Sequence, residues 1–545
     1  MVKKAISGTL FMALGIFALS ACSGAEPGAA GTAPEKPAFE LTSTTPKASN
    51  ELDKFTWSTY AEPSTLDYAY AFDYGDNQVL SNICESLLRL NSDLTISPGL
   101  ATAFENKTPT TWVYTIRDDV KFHDGTTLTA DDVVASLSRH MDSAVGSYWA
   151  ASFANVTSIK KTKDNEVTIT TNTPDSQVNL ALSGAPGVIE SASTLRKSGA
   201  DYGNSTTGVN CTGPFELASW KSGERLTLKR FESYWDNELK AKSKEVEFIF
   251  MPDPSARMNA FKSGEVDGGW LIPSNAVAEL NASGAGQVYF GKNTVVNSLV
   301  ATNPDGPLGK PEVRKALLQA IDRNALVQAA EGGFGERTNA LTPHSVWPSN
   351  DPKILESAFG NLEDYPYDVA AATQAIKESG VLGQEITITT TPMGNAHNVV
   401  AQATAAAAES IGLKARINTL TPDSYTSLFS DPEARKGTDL FFNIWYLSTP
   451  DPLEVMSVLR TGEFSNYGSW SNPEFDKIVT KAIGIQDPKK RAEESLGAQK
   501  ILNEEIPWLP LYETPNLLWM NNRITGASPS VNFLYYPWAA QIGGK

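Results

Sequence analysis

The chain has 545 residues, of which 41% are hydrophobic and 20% charged, and its formal net charge is −17 at pH 7. These values are typical of globular proteins and exclude wholesale disorder, while the acidic balance and the lack of a basic stripe argue against a nucleic-acid-binding protein. With only four His and three Cys, a His/Cys metal centre is not expected, and we predict neither a metal nor another cofactor.

The first 21 residues have the features of a bacterial export signal. Lys3 and Lys4 precede the apolar run 5–19, which is shorter than the roughly 20 residues that span a membrane as a helix. The run ends in Leu19-Ser20-Ala21-Cys22, which resembles the lipobox of bacterial lipoproteins. The resemblance implies cleavage before Cys22 and attachment of a diacylglyceryl group to its sulfur. An ordinary signal peptide with a chance cysteine, or a retained anchor, is the alternative.

Residues 22–50 are predicted to form a flexible tether between the lipid and a folded body. Gly, Ala, Pro, Ser and Thr dominate this segment, and it has no hydrophobic period. No later apolar run approaches the length of a membrane span. We therefore expect the body to lie in water outside the cytoplasm, anchored to the cell membrane through Cys22.

The body alternates predicted strands and helices, which indicates an α/β fold. Alternation of apolar and polar residues predicts strands at 55–60 and 111–117. Further strands are predicted at 167–171, 225–229, 246–250, 385–390 and 414–420, and the apolar run 440–445 is also predicted to be a strand. Apolar residues at helical spacing predict helices at 77–90, 130–139, 254–263, 311–330, 369–379, 398–411, 472–482 and 488–504. Thr129 is the predicted N-cap of the second helix, and a break is expected at Asp322.

Cys84 and Cys211 are the two cysteines of the body. Outside the cytoplasm such a pair can form a disulfide, which would add roughly 4–5 kcal/mol of stability in the loop-entropy model. Two separately buried thiols are the alternative, because the sequence does not give the distance between them.

Several segments, in order and spacing, resemble one protein family over nearly all of the chain from about residue 55. They are NICESLLRLNSDLTISPGLATAF (82–104), TWVYTIRDDVKFHDGTTLTADDV (111–133), TGPF (212–215), SGEVD (263–267), PDP (450–452), SNPEFD (471–476) and PLY (510–512). These segments are similar to the cluster C extracytoplasmic solute-binding proteins of peptide/nickel-type ABC importers, family 5.

The resemblance implies a two-lobed periplasmic-binding-protein type II fold with an extra subdomain inserted in lobe I. Lobe I would comprise residues 51–90, 210–294 and 510–545, the inserted subdomain 91–209, and lobe II 295–509. The chain would cross between the lobes near 293–297 and near 507–510, and these crossings would form the hinge.

The implied function is binding and delivery rather than catalysis. A lipid-anchored solute-binding component would capture a peptide or peptide-like solute by hinge closure and deliver it to the ABC permease subunits. The same clamp binding an oligosaccharide, an opine-like conjugate or a metal chelate, or acting as a sensory receptor, is the alternative. We expect a monomer with no nucleic-acid partner.

Aromatic pairs are the first candidates for the cleft that this family would place between its lobes. Trp445 and Tyr446 end an apolar strand and open an irregular loop, and Tyr148 and Trp149 follow a Gly-Ser turn in the inserted subdomain. Aromatic faces bury apolar area while the Trp N–H and the Tyr O–H fix orientation. A position in the core is the alternative for each of the four.

Ser448 is the position that discriminates between ligand classes. Peptide-binding relatives carry an Asp three places after the strand-end Trp, where it holds the ligand α-ammonium, and a buried ammonium needs such a paired charge. A neutral hydroxyl at this position puts recognition of a free peptide N-terminus in doubt. Asp451 falls on the family's structural Asp-Pro, and Glu62, in the turn Ala61-Glu62-Pro63, is a candidate substitute or a solvated turn residue.

Other motifs favour structural roles. The segment GQVYFGKNT (286–294) departs from a phosphate-binding loop because Asn293 replaces the hydroxyl residue, and its centre alternates like a strand. Ser158 and Lys161 match S-x-x-K, but the S-D-N and K-T-G partners of that enzyme class are missing from the sequence. We interpret His123, in KFHDG, as a structural residue of a turn.

Overall fold

A seven-stranded mixed sheet forms the centre of lobe I. The computed structural model describes residues 39–348 and 351–545, and within them this sheet joins strands from distant parts of the chain. In sheet order they are Gly286–Gly291, Asn516–Asn521, Gly268–Trp270, Leu52–Thr59, Ser243–Phe250, Arg225–Arg230 and Phe215–Lys221. The lobe I helices are Tyr74–Leu80, Pro254–Ser263 and Val277–Ala282.

Tryptophan rings fill the core of lobe I. Phe55 and Trp57, on the same face of their strand, are fully buried. The Trp57 ring lies 4.8 Å from Trp270 and 4.5 Å from Trp538, measured between centroids. Because Trp538 comes from the C-terminal segment, the core of lobe I is complete only when the first and last parts of the body meet.

A six-stranded sheet forms the centre of lobe II. Its order is Glu336–Arg337, Trp508–Glu513, Val295–Ala301, Leu440–Tyr446, Glu385–Thr390 and Lys414–Thr419. Successive side chains of Leu440–Tyr446 alternate between two hydrophobic cores, with Leu440 and Phe442 in one and Phe441 and Trp445 in the other.

Helices cover both faces of the lobe II sheet. The predicted break in the long helix is confirmed, because Asp322 caps the second of two helices by accepting from the Ala325 N–H at 3.0 Å. The helices are Pro311–Ala320, Arg323–Glu331, Pro352–Leu355, Val369–Ser379, Asn395–Ser410, Pro422–Ser430, Leu453–Val458, Pro473–Ile483 and Pro488–Glu505.

The inserted subdomain has its own four-stranded sheet and core. The sheet order is Ala101–Thr108, Thr111–Ile116, Glu166–Thr171 and Val156–Lys163, and the helices are Ala130–Ser138, Gln177–Ala181 and Ala192–Ser198. The predicted cap is confirmed: Thr129 and Asp132 form a reciprocal capping box. Short pairs are Leu88–Leu90 with Ile96–Pro98, and Ile524–Thr525 with Gly543–Gly544.

The predicted helix 77–90 is wrong in its second half. The helix ends at Leu80, and Leu88–Leu90 is a strand. The N–H groups of Leu87 and Leu88 donate to the carbonyl groups of Gly187 and Leu182 rather than to the preceding turn. The apolar residues therefore reflect burial on all sides and not one face of a helix.

The predicted tether extends too far. Residues 1–38 lie outside the described part, but the Thr42 N–H donates to the Phe290 carbonyl at 2.7 Å and the Thr45 hydroxyl donates to the Ala527 carbonyl at 2.9 Å. Ser528 donates in turn to the Ser43 carbonyl at 2.7 Å. Residues 42–50 are therefore bound to lobe I through backbone and side-chain hydrogen bonds.

The second crossing between the lobes also differs from the prediction. The predicted boundary at residue 510 falls inside the strand Trp508–Glu513. This whole strand pairs with Val295–Ala301 in the lobe II sheet. The next strand, Asn516–Asn521, belongs to lobe I. The chain therefore crosses at 514–515, and the earlier crossing lies at 292–294, between Gly286–Gly291 and Val295–Ala301.

Candidate functional site

Tyr446 reaches from lobe II to lobe I. Its ring centroid lies 5.1 Å from that of Tyr74, and its hydroxyl donates to the carbonyl oxygen of Phe72 at 2.7 Å. The strand Leu440–Tyr446 that carries it pairs with strands on both sides. Tyr446 is therefore held by the sheet of one lobe while its tip contacts the other lobe.

Trp445 points to the opposite face of the same sheet. Its ring lies 5.7 Å from Trp508 between centroids and packs against one of the two lobe II cores. The indole Nε1 of Trp445 is buried and has no hydrogen-bond partner among the described residues. Adjacent residues of a strand face opposite sides, so Trp445 and Tyr446 do not line one surface.

The structure separates the second aromatic pair in the same way. Tyr148 is 56% exposed, and its ring stacks on Phe72 at 4.3 Å. Trp149 is buried, and its Nε1 donates to the carbonyl groups of Tyr68 and Ala71 at 3.0 and 3.3 Å. Tyr148 therefore remains a surface candidate, whereas Trp149 supports the loop that carries Phe72.

Ser448 lies in the loop 447–452, called here the lobe II loop, and this loop is organised by Glu454. The Ser448 N–H and hydroxyl donate to Glu454 Oε1 at 2.9 and 3.1 Å. The Thr449 N–H and hydroxyl donate to Glu454 Oε2 at 2.7 and 2.6 Å. Asp451, by contrast, accepts from Arg491 at 2.7 Å in a buried ion pair, in line with a structural role.

Two carboxylates influence the space between the lobes. Burial raises the pKa of Glu454, while the hydrogen bonds from Thr449 and Ser448 oppose that shift. The pKa of Tyr148 is also raised: surrounding protein partly desolvates its hydroxyl although the side chain is 56% exposed, and the negative charges of Glu454 and Asp73 add to the shift. Within the described residues Glu454 forms no ion pair. An acidic group that is buried without a basic partner favours a cationic group on a bound molecule.

Glu62 has a different environment. Its carboxylate accepts from the Trp220 indole N–H and from the Gly223 backbone N–H, both at 2.8 Å. These partners belong to the hairpin at the edge of the lobe I sheet. The structure therefore does not bring Glu62 to Tyr446 or Tyr148, and its carboxylate is used to fix the hairpin.

Cys84 and Cys211 form a disulfide with their Cα atoms 4.8 Å apart. The bond joins the segment after the helix Tyr74–Leu80 to the segment before the strand Phe215–Lys221, and both cysteines are buried. This excludes the alternative of two separate thiols. Cys22 lies outside the described residues.

Five residues of the site were not predicted from the sequence. Phe72, Asp73, Tyr74 and Tyr535 lie near Tyr446 or Tyr148 on the lobe I side, and the negative charge of Glu454 acts on Tyr148 and Tyr535 from lobe II. Phe72, Asp73 and Tyr74 end the aromatic-rich stretch AYAFDY (69–74), which could have drawn attention. Tyr535 and Glu454 carry no local signal, because only the fold brings them to the cleft.

The remaining motifs are structural. Gly286–Gly291 is an edge strand of the lobe I sheet, and Ser158 and Lys161 lie within the strand Val156–Lys163. The His123 ring hydrogen-bonds the Gly213 carbonyl at 3.0 Å, and burial lowers the pKa of His123 to about 4. In the described ranges no three His, Cys, Asp or Glu side chains are grouped as metal ligands, and no helix there is long and apolar enough to cross a membrane.

Comparison with known proteins gives a family match and a fold match. Residues 95–467 match the family model of bacterial extracellular solute-binding proteins, family 5, middle region. The glutathione-binding protein GsiB of Shigella boydii is 25% identical over 457 residues, which cover 82% of this chain and 86% of the relative. GsiB of Salmonella typhi is 26% identical over 460 residues, with the same coverage.

Solved structures confirm the two-lobed α/β fold. The binding protein DppA of Helicobacter pylori, in complex with the peptide STSA, has a TM-score of 0.78 at 21% identity and covers 91% of this chain and 98% of its own. The binding protein AgaA of A. tumefaciens R10, in complex with agropinic acid, has a TM-score of 0.77 at 22% identity and covers 90% and 98%. These relatives are solute-binding proteins and not enzymes.

Proposed function

Since the chain belongs to family 5 of the bacterial extracellular solute-binding proteins, we propose that it captures a peptide or peptide-like solute between its lobes. It would deliver this solute to the permease subunits of an ABC importer while Cys22 anchors it to the membrane by lipid. The observation that carries the proposal is the contact of Tyr446 of lobe II with Phe72 and Tyr74 of lobe I, close enough to Glu454 for its negative charge to act on Tyr148.

The charge at this site supports a solute with an amino group. Ser448 lacks the carboxylate that peptide-binding relatives carry at this position. Glu454, however, accepts a hydrogen bond from the Ser448 hydroxyl, so a carboxylate is present beside the same loop. An ammonium group would offset the electrostatic cost of burying this carboxylate. The names of the relatives agree with this class, because they include proteins that bind glutathione and a short peptide.

Mass spectrometry of molecules that copurify with the body tests the solute class directly. We expect a compound with a primary amine and at least one amide bond, and its affinity is then measured by calorimetry. Copurification of a sugar or of an amine-free acid, with no heat of binding for peptides, would overturn the proposal.

Substitution of an aromatic residue tests the location. Tyr446→Ala removes the lobe II ring that contacts lobe I at the proposed site and should weaken binding of the identified solute by at least tenfold. Trp220→Ala is the matched control, because Trp220 lies at the edge of lobe I and its indole binds Glu62. Equal affinities for both variants and the unchanged protein would place the solute elsewhere.

Loss of the anchor tests the localisation. Cys22→Ser should release the protein from the membrane fraction and abolish labelling by a fatty-acid analogue. Labelling that survives in this variant would rule out Cys22 as the lipidation site.

A further inference from the structure

The first described residues of the chain run beside the edge strand of the lobe I sheet. Residues 39–45, called here the N-terminal strap, lie next to the strand Gly286–Gly291. Leu41 forms a parallel bridge with Phe290, and the Thr42 N–H donates to the Phe290 carbonyl at 2.7 Å. Because this edge strand leads directly into the crossing at 292–294, the strap lies next to the point where the chain passes from lobe I to lobe II.

The strap is fixed to lobe I by hydrogen bonds on its C-terminal side. The Thr45 hydroxyl donates to the Ala527 carbonyl at 2.9 Å and accepts from the Gly526 N–H at 3.1 Å. The Ser528 hydroxyl donates to the Ser43 carbonyl at 2.7 Å. These partners all come from the C-terminal part of lobe I, so the strap moves with that lobe.

The Phe39 ring, at the start of the strap, belongs to a cluster that joins the two lobes. Its centroid lies 5.1 Å from that of Phe290 in lobe I and 6.0 Å from that of Phe334. Phe334 follows the helix Arg323–Glu331 and precedes the strand Glu336–Arg337, which are both lobe II elements. Phe290 and Phe334 also stack on each other at 5.1 Å. One ring from the strap, one from lobe I and one from lobe II therefore pack together.

A polar contact beside this cluster also joins the lobes. The Ser274 hydroxyl of lobe I donates to the Glu331 carboxylate of lobe II, which accepts from the Tyr512 hydroxyl at 3.0 Å as well. Burial raises the pKa of Glu331, while these two hydrogen bonds oppose the shift. Gly332 has a φ of 58°, and a Cβ there would lie 3.4 Å from the Ser274 carbonyl oxygen. The lobe II segment 331–335 is therefore packed closely on lobe I.

The Phe39 cluster is separate from the contact made by Tyr446. In the lobe II sheet, Val295–Ala301 lies between Leu440–Tyr446 on one side and Trp508–Glu513 on the other. Glu336–Arg337, which follows Phe334, pairs with Trp508–Glu513. The lobes therefore touch on both sides of the strand that follows the first crossing, and the side of the Phe39 cluster contains none of the candidate solute-binding residues.

We propose that the N-terminal strap stabilises the closed arrangement of the lobes through Phe39. The ring is fixed to lobe I, whereas Phe334 is carried by lobe II, so a change in the angle between the lobes changes the distance between the two rings. An aromatic contact made in the closed arrangement and lost in the open one shifts the equilibrium towards closure. The strap acts without touching the solute, and the proposal therefore goes beyond the proposed function and holds for any solute class.

Single-molecule energy transfer between labels on the two lobes tests the strap in the absence of solute. Phe39→Ala should lower the ratio of closed to open molecules about fivefold. Leu41→Ala is the matched control, because Leu41 belongs to the same strap and its side chain is 56% exposed, and this variant should stay within about twofold of the parent. Slow exchange of the Thr42 amide, which donates to Phe290, verifies that the strap is in place in both variants.

A double-mutant cycle tests whether Phe39 acts through Phe334. Phe334→Ala should lower the closed ratio at least as much as Phe39→Ala, and the two changes together should add less than about twofold to the effect of Phe334→Ala alone. Fully additive effects would show that Phe39 acts elsewhere and would overturn the proposal. Phe39→Leu keeps an apolar side chain and covers the case in which the alanine variants do not fold; it should give an intermediate ratio.

The outcomes separate the strap from the proposed function. An unchanged closed ratio in Phe39→Ala, with the Thr42 amide still protected, would overturn the strap and leave solute capture between the lobes untouched. If the closed ratio falls, the affinity for a bound solute should fall by the same factor, because fewer molecules are in the binding-competent arrangement. If the parent binds no peptide, the proposed solute class fails, and the strap is still judged by the ratio measured without solute.

Discussion

On the lobe I side of the cleft, ion pairs and hydrogen bonds hold the segments that carry Phe72 and Tyr148. On the lobe II side, fewer contacts hold the loop that follows Tyr446. Arg139 binds both Asp67 and Glu190, the latter at 2.7 Å, and the Ser147 hydroxyl donates to the Ala69 carbonyl at 3.2 Å. The lobe II loop is held at Ser448 and Thr449 by Glu454, at Leu447 by a reciprocal pair of hydrogen bonds with Thr294 at 3.0 and 2.8 Å, and at Asp451 by its ion pair with Arg491.

This difference indicates which side of the cleft has a fixed shape and which side can adapt to the bound solute. A surface fixed by buried ion pairs and a nearby disulfide presents the same face to every solute. Within the lobe II loop, Ser448 and Thr449 are fixed by the Glu454 carboxylate, and these two residues can rearrange when that carboxylate changes partner. We therefore expect the lobe I wall to contribute mainly stability and the lobe II loop to contribute mainly selectivity.

The disulfide gives the largest test of the comparison. Cys84 and Cys211 are 127 residues apart, and in the loop-entropy model their bond contributes roughly 5 kcal/mol. The double Cys→Ser variant, prepared without Cys22, should unfold at a lower urea concentration than the parent. Hydrogen exchange should accelerate in the lobe I strands and stay unchanged in the lobe II strands. Equal acceleration in both sheets would show that the two lobes unfold as one unit.

Histidines whose pKa is lowered by burial give the second test, because both sides of the molecule contain them: His123 and His140 in the inserted subdomain and His397 in lobe II. Burial lowers the pKa of His140, beside the Tyr148 loop, to about 4, with a further contribution from Arg139, and burial lowers the pKa of His397 in lobe II to about 4. A folded-state pKa below the unfolded value of 6.5 means that stability is complete above pH 6.5 and is lost as the pH falls towards 4. Each histidine should lower the free energy of unfolding by about 3 kcal/mol between pH 6.5 and pH 4.

The variant His397→Phe separates the contribution of His397 to the pH dependence of stability from that of His140. Phenylalanine keeps the edge-on contacts that the His397 ring makes with Tyr425 and Phe442, and it does not titrate. Urea unfolding at pH 7 and pH 4.5 should show a smaller loss of stability in this variant than in the parent. The same pH dependence in both proteins would mean that His397 is solvated or charged in the folded state.

Glu454→Gln tests the dependence of the lobe II loop on one carboxylate. The amide presents only one acceptor oxygen to the four donors of Ser448 and Thr449, so the loop should lose roughly 2 kcal/mol of local stability. We expect faster amide exchange at 448–449 and weaker binding of an amine-bearing solute. Glu433→Gln, at an exposed site that pairs with Lys436, is the control, and similar behaviour of the two variants would contradict the role of Glu454.

The sequence was informative where the physics is local. The cap at Thr129, the helix break at Asp322 and the apolar strand predicted at 440–445 depend on neighbours within a few residues, and the structure confirms them. The helix 77–90 failed because its hydrogen-bond partners lie about a hundred residues away, near Leu182 and Gly187. Glu454 was missed for a related reason. From the local sequence, a Glu in the first turn of an exposed helix looks the same as a Glu whose buried carboxylate holds a neighbouring loop.

Tyr446→Phe tests the contact between the two sides and should have the smallest effect. It removes one hydroxyl that donates to the Phe72 carbonyl across the cleft, a contribution of about 1 kcal/mol, and it leaves the ring packed on Tyr74. The closed population, measured by single-molecule energy transfer between labels on the two lobes, should fall about fivefold relative to the open one. Tyr425→Phe is the matched control, because the Tyr425 hydroxyl donates to the Phe442 carbonyl within lobe II, so its loss should lower stability without opening the cleft. If both variants close like the parent, the hydroxyl of Tyr446 does not hold the lobes together, and closure depends on other contacts or on the bound solute.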